Sequence, residues 1–283
     1  MSQINEISSI GKIRHLMSHY SEEDARGMLV ERRGTTEDAY MLGKGLHRVL
    51  DTRKKYALTS AGVTEVSSEK DAINVQKMYN AALDGAKRPD DVLDFHAQWL
   101  KKGQGGAEAN ANILGDNGRM IIDTVSTALH VIPIEPTPEH LAYYGAVLLH
   151  KGNTVEFPEH AHQYPLWTMS LGASYVEDYL MTEKGGGWYL EWHTDKPHLH
   201  MPLCEDAAGA YLLAKEVDPG HYHASAFKIT SGQAVYTFPG AIHADAGLVG
   251  SQWVVGYDKS DNFSTVLVRN LNDKKVNFTF LCE

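Results

Sequence analysis

The spacing of apolar residues along the chain changes near residue 140. Before that point apolar residues recur at helical spacing, as in Leu46 and Leu50 or Phe95 and Trp99, which predicts amphipathic helices. The predicted helices open near Ser21, Thr36, Ser68 and Pro89, and a helix or a strand follows Arg119. We therefore expect residues 1–140 to form a mainly helical N-terminal region.

From residue 141 onward the apolar residues fall into short runs that are separated by glycine and proline, a pattern typical of strands. The predicted strands cover 143–150, 166–171, 188–193, 209–217, 224–229, 234–238, 253–257, 264–268 and 276–281. Many closely spaced strands favour an antiparallel sandwich or barrel. The predicted fold class is α+β, with a helical region over 1–140 followed by a β-barrel domain over 141–283.

The composition of the 283-residue chain is that of a globular protein, with 43% hydrophobic residues and a formal net charge of −10. The acidic balance argues against a nucleic-acid partner, because binding phosphates needs a basic face. No apolar run approaches the roughly 20 residues that span a bilayer, and the first residues lack the pattern of a signal peptide. Two distant cysteines, Cys204 and Cys282, fit a reduced compartment. We expect a cytoplasmic protein without a membrane partner.

Histidine is unusually frequent and unevenly placed. Of the 15 histidines, 11 lie within 130–243 and none follows that window. Neutral imidazole is the commonest metal ligand of proteins. Two pairs, His160-Ala-His162 and His198-Leu-His200, have a spacing that places both imidazoles on one face of a strand. We call these the first and the second pair.

A third alternating pair, His221-Tyr-His223, follows an Asp-Pro-Gly sequence, so we expect it in an exposed turn. His243 follows a Pro-Gly turn after a predicted strand, which makes it the best candidate for a further metal ligand.

The surroundings of His243 carry a resemblance to a known family. Gly232, Gly240 and His243 keep the offsets of the motif G-x5-P-x-G-x2-H, while Pro239 sits one position late. This is the second motif of the cupin superfamily, and the chain resembles that superfamily over roughly 143–270. The resemblance implies a small antiparallel barrel, with the histidine pairs facing a common cavity or lying at the edge of the barrel.

The first cupin motif, G-x5-H-x-H-x3,4-E-x6-G, has two competing matches. His160 and His162 lie between Gly152 and Gly172, which resemble the flanking glycines of the family, but an apolar residue occupies the position of the glutamate. His198 and His200 are followed by Glu205 at the expected spacing, but the glycines do not fit. The sequence alone leaves both matches open.

Each match implies a different kind of enzyme. The first pair with His243 resembles cupin iron dioxygenases that lack the glutamate, among them thiol and diketone dioxygenases. The second pair with Glu205 and His243 resembles the cupins with three histidines and one glutamate, which include oxygenases, lyases and isomerases. A rival interpretation takes His193-Thr-Asp195, His243 and Arg269 as the site of a 2-oxoglutarate iron oxygenase. A further alternative is that the histidines are structural.

We favour the first match. The predicted metal ligands are His160, His162 and His243, holding one divalent transition-metal ion. Fe(II) is the favoured ion, with Zn, Ni, Cu or Mn as alternatives. His198 and His200 would then bind a small-molecule substrate, and Glu205, Tyr164 or a remaining histidine would act as general base.

The predicted function is that of a metal-dependent enzyme acting on a small molecule, with a mononuclear iron dioxygenase as the favoured type. A lyase or isomerase of the same fold is the alternative enzyme. A ligand-binding or sensor protein without catalytic activity is the alternative outside catalysis, and a homodimer formed through the helices stays open.

Overall fold

Strands make up most of the chain that the structure, a computed structural model, describes. The described residues are 41–101, 117–161, 163–172, 175–182, 186–256 and 262–281. Within these ranges there are twenty strands, two α-helices, one short 3-10 helix and one short π-helix. No helix in these ranges is long and apolar enough to cross a membrane.

The strands before residue 140 are β1 (Met41–Val49), β2 (Lys55–Thr59), β3 (Gly62–Val66), β4 (Ile73–Asn74), β5 (Leu93–Leu100), β6 (Asn117–Ile122), β7 (Ala128–Val131) and β8 (Pro133–Ile134). The later strands are β9 (Ala146–His150), β10 (Thr154–Glu156), β11 (Pro165–Leu171), β12 (Tyr189–His193), β13 (His198–Pro202), β14 (Ala208–Asp218), β15 (His221–Lys228), β16 (Gln233–Thr237), β17 (Ile242–Ala244), β18 (Leu248–Gly256), β19 (Phe263–Asn270) and β20 (Asn277–Phe280). The α-helices are α1 (Val75–Leu83) and α2 (Pro138–Tyr143), the 3-10 helix is Glu159–Ala161, and the π-helix is Tyr175–Leu180.

The helical N-terminal half predicted from the sequence is wrong. Among the residues described before position 140, there are eight strands, and only α1 and the start of α2 accompany them. The helix predicted near Ser21 lies outside the described residues. Phe95 and Trp99 are four residues apart, which fits one helical turn, but both also belong to an alternating series with Leu93 and Ala97 along β5 that packs in one core. Because residues 93–100 pair with β6 and β15, this segment forms a strand and not a helix.

One predicted helix of this region is present, with a later start. The sequence places its beginning near Ser68, whereas α1 begins after Asn74, whose side-chain oxygen accepts a hydrogen bond from the backbone N–H of Lys77 at 3.0 Å. The residues just before α1 pair in parallel with β10 as strand β4, so they are not free to join the helix.

Seven strands of the largest sheet close into a ring in the order β15, β5, β6, β19, β12, β17, β14 and back to β15. All pairings of this ring are antiparallel except that of β6 with β19. Six further strands form a layer in the order β1, β11, β18, β13, β16, β9, and β18 joins this layer to β14 of the ring. The predicted β-barrel is therefore present, and the architecture is compatible with a cupin-like fold.

Alternation along the ring strands gives them two buried faces. Leu190 of β12 and Leu212 of β14 face an apolar core inside the ring. Leu213, the next residue of β14, packs instead in a second core with Trp167 of β11 and Val255 of β18. This second core lies between the ring and the layer, and a group of polar side chains is buried at its edge.

Candidate metal centre

Four side chains of the types that bind metals converge between the ring and the layer. Glu191 and His193 lie on β12, His198 on β13 and His243 on β17. Each offers one ligand atom, and these four atoms all lie within 4.8 Å of one another. The three histidines are buried and Glu191 is half-buried. We call this group the buried cluster.

Strand geometry explains how the buried cluster forms. Glu191 and His193 are two residues apart, so they share one face of β12, and Glu191 is paired directly with His243 of β17. His243 is also paired with Leu213, so its side chain points towards the second core. Four residues then carry the chain from the ring to the layer, where His198 opens β13 opposite His193.

The distances in the buried cluster suit a transition-metal ion. Nε2 of His193 lies 2.8 Å from Nε2 of His198, and Nε2 of His243 lies 3.9 Å from a carboxylate oxygen of Glu191. Ligand atoms that bind one such ion at 2.0–2.2 Å are about 3 to 3.5 Å apart. The two separations therefore bracket the spacing that a shared ion requires.

His243 presents the clearest sign of a missing partner. Its Nδ1 lies 3.1 Å from the backbone carbonyl oxygen of Ala241, so this nitrogen carries the proton and donates it. Nε2 then carries a lone pair that points into the buried cluster, and it has no hydrogen-bond partner among the described residues although it is buried. A buried acceptor without a partner costs roughly 1–3 kcal/mol, and an ion would satisfy it.

Burial keeps the imidazoles of the buried cluster neutral. Burial lowers the pKa of His243 to about 3, and the neighbouring His193 adds to the effect. Burial also lowers the pKa of His193 and brings that of His198 well below its ordinary value. Metal ions bind the neutral imidazole, so these histidines are in the form that an ion requires.

Comparison with protein-family models, with curated proteins and with solved structures finds no match for this chain. A ring of strands with a buried group of histidine and glutamate fits a cupin-type metal site.

A buried hydrogen-bond network lies next to the buried cluster. His200, two residues after His198 on β13, is fully buried, and its Nε2 lies 3.4 Å from one carboxylate oxygen of Asp245. Tyr189 donates its hydroxyl proton to the other carboxylate oxygen of Asp245. The His200 and His198 rings are nearly parallel, with centroids 5.8 Å apart. Asp245 thus fixes the orientation of a histidine that borders the cluster.

We expect the substitution Asp245→Ala to lower the free energy of unfolding by roughly 2–4 kcal/mol, because it leaves the buried Tyr189 hydroxyl and the buried His200 ring without their acceptor. Urea denaturation checks this, with Asp71→Ala at an exposed site as the control. A midpoint equal to that of the control would show that the network contributes nothing to stability.

The residues predicted from the sequence are divided among several places. His160 lies in the 3-10 helix, 2.8 Å from the Tyr236 hydroxyl through its Nε2, and His162 lies outside the described residues. Tyr164 is buried and donates its hydroxyl proton to the carbonyl oxygen of Pro197. The other predicted residues are His243 and His198 in the buried cluster, His200 beside it, and Glu205 exposed in the turn after β13.

Glu191 was missed by the sequence analysis, and His193 entered only the rival interpretation. A signal for them exists, because Glu191, His193 and His198 stand at the spacings of the three ligands in the first cupin motif, and Gly185 precedes Glu191 at the motif's distance. The residue types are exchanged, with glutamate at the first position and histidine at the third. A search for His-x-His cannot find this order. The glycine that ends the motif is absent, since Glu205 occupies its position.

A separate cavity of about 450 Å³ opens near one end of the ring. Its walls include Trp99, Trp192, Tyr222 and Ile242. Trp192 and Ile242 each adjoin a histidine of the buried cluster, but alternation turns them to the opposite face of β12 and β17. The cavity and the buried cluster are therefore on two sides of the same strands.

Proposed function

We propose that this protein is a metal-dependent enzyme that acts on a small molecule. In this proposal Glu191, His193, His198 and His243 hold one divalent transition-metal ion. The observation that carries it is the buried Nε2 of His243, which points into a group of three further donors and has no hydrogen-bond partner among the described residues.

The donor set limits which ions fit. Three imidazoles and one carboxyl group suit Fe(II), Mn, Ni, Cu and Zn and disfavour Ca and Mg, which prefer ligand sets made of oxygen. We propose Fe(II), and with it a dioxygenase activity. Such an ion, when bound by these four residues, would supply a Lewis acid and a centre that can activate oxygen.

His200 is the side chain that we propose for handling a proton of the substrate. Its Nδ1 is buried and has no hydrogen-bond partner among the described residues, while Nε2 faces Asp245. A histidine fixed through one nitrogen can exchange a proton at the other, provided that the substrate lies within hydrogen-bond reach. Tyr211, whose ring centroid is 4.7 Å from that of His200, would exclude water beside it.

The proposal is tested by elemental analysis of protein that is purified without a histidine tag and dialysed against a weak chelator. We expect about one equivalent of a transition metal per chain, or uptake of about one equivalent of Fe(II) when it is added without oxygen. Oxygen consumption is then measured with a panel of small thiols, diketones, phenols and organic acids.

Each outcome has a distinct meaning. Retained metal with substrate-dependent oxygen uptake supports the dioxygenase. Retained metal with conversion of a substrate but no oxygen uptake supports a lyase or isomerase and overturns the dioxygenase. Protein that neither contains nor takes up a tightly held ion overturns the metal-dependent function altogether.

A further inference from the structure

A second group of ligand-type side chains lies on the outer face of the ring, at the seam between β5 and β15. These strands are antiparallel neighbours, with His221 paired with His96 and His223 paired with Asp94. The residues between them, Phe95 and Tyr222, stack inside the ring with centroids 5.7 Å apart. Alternation therefore turns the other four side chains outward together. We call this group the seam cluster.

The seam cluster is arranged around one carboxylate. One oxygen of Asp94 lies 2.6 Å from Nε2 of His221, and the other lies 3.4 Å from Nε2 of His223. Ligand atoms of these three residues all lie within 4.8 Å of one another. A transition-metal ion bound at 2.0–2.2 Å needs ligand atoms about 3 to 3.5 Å apart. The His223 separation already meets this, and the His221 hydrogen bond would open by less than roughly 1 Å to admit an ion.

The far nitrogen of His223 has a hydrogen-bond partner that orients the ring, and the far nitrogen of His221 faces a carboxylate beyond hydrogen-bond distance. Nδ1 of His223 lies 2.6 Å from the hydroxyl of Tyr143, and Nδ1 of His221 lies 3.8 Å from a carboxylate oxygen of Asp218. Metal-binding histidines typically have such a partner on the nitrogen that does not bind the ion, because it fixes the ring and its tautomer. His96 stacks against the His221 ring, with centroids 4.6 Å apart.

We propose that Asp94, His221 and His223 form a second metal site, which takes one exchangeable late divalent ion such as Zn(II), Ni(II) or Cu(II). Two imidazoles and a carboxylate match the preference of these ions. Asp94 is exposed, His221 is half-buried and His223 is buried. Because solvent reaches the carboxylate, we expect the ion to exchange more readily here than in the buried cluster. Bound there, the ion ties β5 to β15 and stabilises one seam of the ring.

The experiment is a titration of metal-free, untagged full-length protein with Zn(II), monitored by isothermal titration calorimetry. We expect the double variant His221→Gln/His223→Gln to bind one equivalent fewer than the wild type. The matched control is His130→Gln/His150→Gln, which removes two exposed imidazoles that belong to neither cluster and is expected to retain the wild-type stoichiometry. Tyr143→Phe is expected to lower the affinity for this second ion by about tenfold while the stoichiometry stays at the wild-type value.

Equal stoichiometry in the double variant and the wild type overturns the second site, and so does an equal loss in the control. Should the double variant not fold, the single substitution Asp94→Asn at the exposed carboxylate provides the same test with an expected loss of affinity of at least about tenfold. The readout is a difference of one equivalent between variants, so it is independent of whether the buried cluster holds an ion.

Discussion

Replacing His193 with alanine is expected to abolish tight metal binding. Its Nε2 lies 2.8 Å from that of His198 across the gap between ring and layer, so the substitution removes one of three imidazoles from the centre of the buried cluster. The remaining donors lie on strands that cannot close over the vacant position, because β12 and β17 are held by pairing on both edges. We expect a loss of affinity greater than roughly 100-fold, more than removing a residue that only orients a ligand.

The matched control is His160→Ala, which removes a half-buried histidine. His160 bonds to the hydroxyl of Tyr236 and belongs to neither group of converging ligand atoms among the described residues, so its substitution should leave the metal content near the wild-type level. Elemental analysis after dialysis measures both variants, and circular dichroism verifies that both fold. Loss of metal in His160→Ala with retention in His193→Ala would contradict the proposed ligands and favour the site of His160, His162 and His243.

The substitution Trp253→Ala is expected to lower the free energy of unfolding by roughly 3–5 kcal/mol. Trp253 is completely buried in the second core, on a strand that pairs with both β11 and β13. Its indole N–H also donates a hydrogen bond of 3.0 Å to the carbonyl of Val249. The free energy of unfolding of a domain is typically only about 5–15 kcal/mol. This single substitution would therefore remove a large part of the stability of the protein.

Urea denaturation measures the effect, and Leu271→Ala is the control because Leu271 is 56% exposed. The control should change stability by less than about 0.5 kcal/mol. A change at Trp253 no larger than that would mean that the second core does not hold the ring and the layer together.

The barrel and the presence of a histidine site were predictable, while the ligand set was not. Short apolar runs and the turn before His243 are local features that the sequence displays directly. The contact of Glu191 with His243 depends on pairing between strands that are about fifty residues apart, and β17, which makes it, is only three residues long. The contact of His193 with His198 depends on a crossing from the ring to the layer, which no local pattern specifies.

The N-terminal strands were mispredicted for a different physical reason. An interval of four residues is compatible with one helical turn and with two strand repeats, so Phe95 and Trp99 cannot distinguish the two. The segment is a strand because it pairs with β6 and β15, and β15 follows more than 120 residues later in the chain.

The connection between His193 and His198 is short, and this affects the stage at which the chain loses the conformational entropy needed to bring the ligands together. Only four residues separate the two histidines, so each imidazole is at a high effective concentration relative to the other. Bringing them together therefore costs less conformational entropy than closing a long loop. Pairing of β12 with β17 then brings Glu191 and His243 to the same place as part of folding. The ordering cost thus falls on the folding of the chain, and an ion would meet donors that are already assembled.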